Sequence, residues 1–405
     1  MADPRRQPIA SPPPHHLPFL TLVLLLLITF YAFHGPLRSM LSGRYRASHT
    51  FDKALNLVLD EYVEKPDPDE LVHSALEGLV GSLPDKHSTF LSPHSNSRQQ
   101  EVEHGQYAGL GIVIRLHEHR TIIYRVFPDT PAERAGLRAG DTLVAADGHD
   151  LSKVEQLEEV SKALRGEVGS TAQLVVERDG QRIEVAVTRA VIHRPIVEHR
   201  MLAPGIGYVR VVDFPDGVAR LLATALDDLS EKGARGVVLD VRRNNGGFLD
   251  EAVRVADLFI ADGLIVRTQS RHASDNRVFR ARPGGSAEAL PLVVLVDGES
   301  ASAAEVVAGA LQDHGRAPLV GTRTYGKGAV NKRFELPDGS GLLITTGKYY
   351  LPKGRQIEGK GLTPDVEVEP PSPEQLRGVP PGVEPPDPQR DRAVRLLRQR
   401  LALDE

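Results

Sequence analysis

The stretch VDGESASAAEVVAGALQDHG, residues 296–315, leaves an apolar strand, PLVVLVD, through a polar corner and enters an amphipathic helix. A strand feeding a helix in this way is the building unit of an α/β fold, in which apolar strands covered on both faces alternate with helices. The same rhythm repeats upstream. GYVRVV precedes the helical ARLLATALDDLSEKG, and GVVLDV precedes LDEAVRVADLFI, whose Leu249, Ala252, Val253 and Ala256 share one face. Sites in such sheets gather at the carboxyl ends of the strands. The corner at 300–303 lies at one of these ends and carries two serines.

Working outward, the rhythm changes on both sides. From YAGLGIVI to Arg189 the chain offers short alternating segments, TIIYRV, DTLVAAD, AQLVVER and IEVAVT, separated by turn signals and one helical stretch, KVEQLEEVSKALRG. That pattern predicts a small β-rich domain. Before it, Leu55, Val58, Leu59 and Tyr62 recur at helical spacing and LVHSALEGLVGSL follows a proline-bearing break, which reads as a short helical module. After Pro370, PPSPEQLRGVPPGVEPPDP is too rich in proline to fold alone and reads as a linker. RDRAVRLLRQRLAL then places Ala393, Leu396, Leu397 and Leu401 on one face of a helix that docks on the core or meets an anionic membrane, docking being the preferred reading.

The expected architecture is therefore multidomain, α/β and β. It comprises a stub and membrane anchor over 1–36, a helical module over 37–104, the β-rich domain over 105–192, the α/β core over 193–370, and a linker with its helix over 371–405. The anchor is LPFLTLVLLLLITFYAF, residues 17–33, an uncharged run. As a helix it spans about 25 Å, near the lower limit for a membrane crossing. No A-x-A-like cleavage site follows it, which favours a retained anchor over a cleaved signal. The N-terminus is then expected in the cytoplasm and the body outside it, in the periplasm if the cell is bacterial.

Composition removes whole classes of function. A formal net charge of −5 across 405 residues gives no basic footprint for nucleic acid. The absence of cysteine excludes disulfides, thiol nucleophiles and cysteine-ligated zinc, and the 15 histidines form no HExxH pair. Oxygen and amine chemistry remains, with no metal or organic cofactor expected.

Ser302 can be read in two ways. Ser302-Ala-Ala-Glu305 has the form of a capping box, in which a hydroxyl and a carboxylate satisfy orphan helix N–H groups. The small neighbours Ala301, Ala303 and Ala304 also let other backbone approach, and a helix N-terminus favours developing negative charge, as a nucleophile requires. No histidine stands at a triad position, since His314 ends the same helix about 18 Å away. Lys327, in the glycine-flanked turn GTRTYGKGAV, is the remaining candidate base. Bringing a lysine from about 10.4 to about 7 requires about 4.6 kcal/mol of preference for the neutral amine, which burial can supply and solvent cannot. Gly246 and Gly247, in DVRRNNGGFLDEA, place bare backbone at the end of a neighbouring strand, where N–H groups suit a reacting carbonyl oxygen.

Together these stretches resemble the carboxyl-terminal processing, or tail-specific, proteases, serine-lysine peptidases that carry a PDZ domain. The resemblance runs from about Phe51 to Pro370. It rests on D-[LV]-R-x-N-x-G-G at 240–247, S-A-S-A-x-E at 300–305, Y-G-K-G at 325–328 and DGSGLLITTGKYYLPKGRQIEGKGLTPD at 338–365. It implies Ser302 as nucleophile, Lys327 as general base, and an oxyanion hole from the Ala303 N–H and an N–H of the Gly246-Gly247 turn. Where the family commonly has a lysine-orienting glutamine, this chain has Asn331. Gly109, Leu110, Gly111 and Ile112 look like the carboxylate-binding loop of the PDZ domain, whose N–H groups hold a free C-terminus. The implied activity is endoproteolysis of polypeptides with accessible C-termini by a membrane-tethered enzyme. The alternative, motivated by Asn331, is a proteolytically weak or inactive PDZ adaptor or holdase that keeps the protease fold. A homo-oligomer or an activating adaptor stays open as a further partner.

Overall fold

The computed structural model describes residues 43–103, 106–117, 120–193, 195–372 and 385–402, together with positions 28 and 375. The apolar run at 17–33 therefore lies outside the described residues except for Ile28. Among the described residues no helix is long and apolar enough to cross a membrane. The chain divides into two units, 1–79 and 80–405. The first contains the helix Gly43–Glu61 and most of the helix Pro68–Gly81, whose first turn is capped by Asp67 accepting from the Asp69 and Glu70 amides.

In the second unit, residues 106–193 form antiparallel strands around a core of their own that includes Ile123, Leu143, Leu174 and Val176. One sheet runs in the order Ile112–His117, Arg120–Val126, Thr142–Ala146, Thr171–Arg178, Gln181–Thr188, and the helix Leu157–Leu164 packs on it.

The α/β core is built on a six-stranded sheet with the order Val197–Ala203, Ile206–Val211, Gly236–Asp240, Leu292–Val296, Leu319–Gly321, Val366–Glu367. The first pair is antiparallel and all the others are parallel. Every residue of Gly236–Asp240 and Leu292–Val296 is buried, and their alternation assigns the two faces. Val237, Leu239, Val294 and Val296 face the helices Val218–Glu231, Leu249–Asp257 and Ala303–Asp313; Val238, Val293 and Leu295 meet Ala393 and Leu397 of the helix Pro388–Leu401. The last helix thus docks on the core and covers the second face of the sheet. Each large side chain fully buried there contributes about 1.5–3 kcal/mol. A second, antiparallel sheet pairs Gly341–Tyr350 with Thr89–Leu91, Gly263–Ser270 and Ala329–Glu335.

Candidate active site

Three neighbouring parallel strands, ending at Asp240, Val296 and Gly321, deliver three loops to one edge of the core sheet. The first loop carries Gly246 and Gly247, the second Ser302, the third Lys327. They are knitted together by hydrogen bonds between loops. Ala301 N donates to Asn244 O at 2.9 Å, Ser300 Oγ donates to Val241 O at 2.8 Å, and Tyr325 N donates to Ser300 O at 3.1 Å.

Ser302 is held at φ 55°, ψ −114°, a conformation that L-residues rarely adopt and that costs about 1–3 kcal/mol. A sharp positive-φ turn between strand and helix projects a side chain away from both elements, the geometry of a nucleophile elbow. Ser302 is buried, and so is Tyr349, whose phenol burial pushes up to about 12 against the pull of the Ser302 side chain. The Glu305 half of the capping box is present and does more than cap. Glu305, fully buried, accepts from Ser302 N at 3.0 Å and Lys327 N at 2.8 Å through Oε2, and from Gly326 N at 2.8 Å and Thr324 Oγ1 at 2.5 Å through Oε1. One carboxylate oxygen therefore ties together the main chains of the serine corner and the lysine turn. Burial raises the Glu305 carboxyl above the usual range, against the pull of these four donors.

Lys327 is half-buried, and burial depresses its amine while the charge of Glu358 opposes that depression. No hydrogen bond joins its Nζ to Ser302 Oγ. Asn331 Nδ2 donates to His87 O at 2.8 Å, while its buried Oδ1 has no hydrogen-bond partner among the described residues.

In the glycine pair the two amides differ. Gly246 N donates to Asn244 Oδ1 at 2.8 Å, whereas Gly247 N and Ala303 N have no hydrogen-bond partner among the described residues. Asn244 is fully buried and also donates to Val211 O at 2.8 Å, so it holds the loop from within. Gly246 packs so closely that a Cβ there would stand 2.7 Å from Ser302 Cβ. At the base of the loop, Arg242 pairs with Asp240 at 2.6 Å and with Asp387 at 2.7 Å, and donates to Gln389 Oε1 at 2.8 Å. Burial opposes ionisation of Asp387, but hydrogen bonds from Arg242 prevail and hold it below the usual carboxylate range. Next to Phe248 a cavity of about 670 Å³ reaches Thr268 and Asn331.

The loop Gly109 to Ile112 lies elsewhere, at a groove of about 900 Å³ between the strand Ile112–His117 and the helix residues Ser161 and Leu164. The Leu110 and Gly111 carbonyls accept from Ala132 N and Phe127 N at 2.9 Å each. The Leu110 and Gly111 amides have no hydrogen-bond partner among the described residues.

Sequence reasoning missed Tyr349, the Asn244 brace, the Arg242–Asp387 clamp and the pair His87–Glu358. Tyr349 and Glu358 lie within the 338–365 motif run but carried no signal of role. The arginine clamp joins residues too far apart in sequence for any pattern to connect them.

Known proteins resemble this chain over both domains. Residues 205–368 match the profile of peptidase family S41, and residues 108–188 match that of the PDZ domain. The Bartonella bacilliformis protein named carboxy-terminal-processing protease is 36% identical over 340 residues, covering 82% of this chain and 78% of that one. A Staphylococcus haemolyticus protein named as a CtpA-like serine protease is 32% identical, covering 81% of this chain but only 65% of its own length. A solved structure of a Bacteroides fragilis protein assigned to S41 shares the fold, with a TM-score of 0.55 at 19% identity over 87% of this chain and 97% of that one. The class is thus a serine-type peptidase joined to a PDZ domain. The chain belongs to peptidase family S41.

Proposed function

We propose that this chain is an endopeptidase that captures substrate C-termini in its PDZ groove and cleaves them by a serine-lysine acyl-enzyme mechanism. Ser302 Oγ attacks the scissile carbonyl while neutral Lys327 takes its proton. The oxyanion is received by the N–H groups of Gly247 and Ala303, with Gly246 serving to shape the loop. The leaving amine takes the proton back from Lys327, and water then releases the acyl group. For transfer the lysine side chain must turn toward Ser302, and Asn331 Oδ1 is the acceptor that remains to orient the amine. The loop from Gly109 to Ile112 binds the free carboxylate through its amides while the tail adds a strand beside Ile112–His117. The apolar run at 17–33 supports a membrane tether with the peptidase outside the cytoplasm.

One observation carries this reading: the shared Glu305 oxygen that holds Ser302 N and Lys327 N together. Labelling with a fluorophosphonate probe tests it. The wild type is expected to be labelled at Ser302, and Lys327→Ala to lose about 10²–10⁴-fold in labelling rate and in cleavage of a tailed polypeptide. Equal labelling of the two proteins removes Lys327 from the mechanism. No labelling and no cleavage by the wild type, with tail binding kept, makes the chain an adaptor.

A further inference from the structure

A second carboxylate stands against the lysine turn. Glu358 belongs to the turn 357–361, which packs backbone on backbone against 324–328. A Cβ on Gly328 would meet Glu358 N at 2.6 Å, and Gly359 N donates to Gly326 O at 2.9 Å. The two Glu358 oxygens are divided between neighbours. Oε2 accepts from Gly328 N at 2.8 Å, and Oε1 lies 2.9 Å from His87 Nε2. The His87 side chain is only 6% exposed, and its backbone is fixed twice: its N–H donates to Asp85 at 3.0 Å and its carbonyl accepts from Asn331 at 2.8 Å. Glu358 is thus held at a fixed place one residue from Lys327.

We propose that Glu358 is a positioning residue that fixes the Gly328 end of the lysine turn and sets, through its charge, the pH at which Lys327 becomes the base. The inference rests on the reading of Lys327 given above.

The other charged or titratable groups around the turn are engaged elsewhere or exposed: Arg323, which donates to Lys360 O at 3.2 Å, is exposed, as are Lys348 and Lys360. Glu305, from the serine helix, faces backbone N–H groups. Asp85 is taken up by His87 N, Ser88 and Thr345. Lys86 lies over the exposed Tyr325 ring, 4.9 Å from its centroid. Tyr349, from the strand Gly341–Tyr350, stays a neutral phenol at physiological pH. Glu358 is the group whose charge acts on the Lys327 amine, and it acts against burial. Burial alone would make the lysine easy to deprotonate but a weak base, and a nearby negative charge restores basicity.

The pH dependence of kcat/KM for a tailed polypeptide tests this with two variants, each checked for wild-type melting. Glu358→Gln keeps an oxygen for Gly328 N and loses the charge, so the acid limb is expected to move about one pH unit toward acid with the plateau little changed. Glu358→Ala is expected to move the limb the same way and to lower the plateau about tenfold as the turn loosens. A limb that stays in place, or moves toward alkali, in the glutamine variant overturns the proposal while Lys327→Ala remains dead. A Lys327→Ala protein that keeps its turnover sinks the parent reading instead.

Discussion

Two places to which the proposed mechanism assigns substrate oxygens carry backbone N–H groups without a partner among the described residues, and they are built differently. The Gly247 and Ala303 amides sit where parallel strands end, inside a mesh of buried side chains: Asn244 braces one loop, Glu305 two others. The Leu110 and Gly111 amides lie at a groove walled partly by their own domain, which has a separate core, and partly by the helix Pro93–Glu103. Stabilising a developing charge requires donors fixed to a fraction of an ångström, because a displacement of about 1 Å can cost two orders of magnitude in rate. Holding a carboxylate requires only that the amides be presented, with pockets alongside for varied side chains. On the proposed mechanism, the difference teaches that bracing is densest where charge would develop, and that a groove for varied tails needs less of it.

Substitutions can break this contrast, and the largest effect belongs at the rigid place. Gly246 has φ 107° and a Cβ would crowd Ser302, so Gly246→Ala is expected to lower kcat about 10²-fold while tail-peptide affinity is unchanged. Steady-state kinetics beside a binding titration check this, and a kcat within twofold of wild type would remove the claim of a tightly fitted loop. Gly111 has φ 90° and a Cβ there would stand 2.3 Å from Thr130 Cβ. Gly111→Ala is therefore expected to raise KM about tenfold for tailed substrates and to leave kcat nearly intact, as a loss of ground-state binding does. Equal losses in kcat for both variants would show that the two places act as one. The smallest effect on turnover is expected at Asp387. Asp387→Ala leaves Arg242 without one partner at a cost of about 3 kcal/mol, seen as a melting temperature several degrees lower with most of the kcat retained.

How much of this was legible in the sequence follows from how local each signal is. The alternation of apolar strands with amphipathic helices is written in consecutive residues, as in GVVLDV and the helix after it, so the α/β core could be read directly. The serine corner was legible because Ser302 and Glu305 are three residues apart. Its strained backbone was not, since no residue type announces a positive φ at a serine. Lys327 was found as the amine left after histidine was excluded, but the Glu358 carboxylate that opposes its burial comes from a separate turn. Asn331 stands where the resemblance has a lysine-orienting glutamine, but no spacing in the sequence tells that His87 O takes its amide nitrogen and leaves its Oδ1 without a partner among the described residues. Gly246 and Gly247 looked alike until the Asn244 side chain set them apart.

The helix Pro388–Leu401 has one more consequence, in the order of events as the protein is made. Ser302 and Lys327 leave the ribosome well before Asp387 and Gln389, which grip Arg242 at the root of the loop that bears Gly247. Until that late segment arrives, the sheet face it covers lies bare and Arg242 has Asp240 alone of its three partners. On the proposed mechanism, a nascent peptidase of this design carries its attacking serine for some time before it has the finished cradle in which to use it.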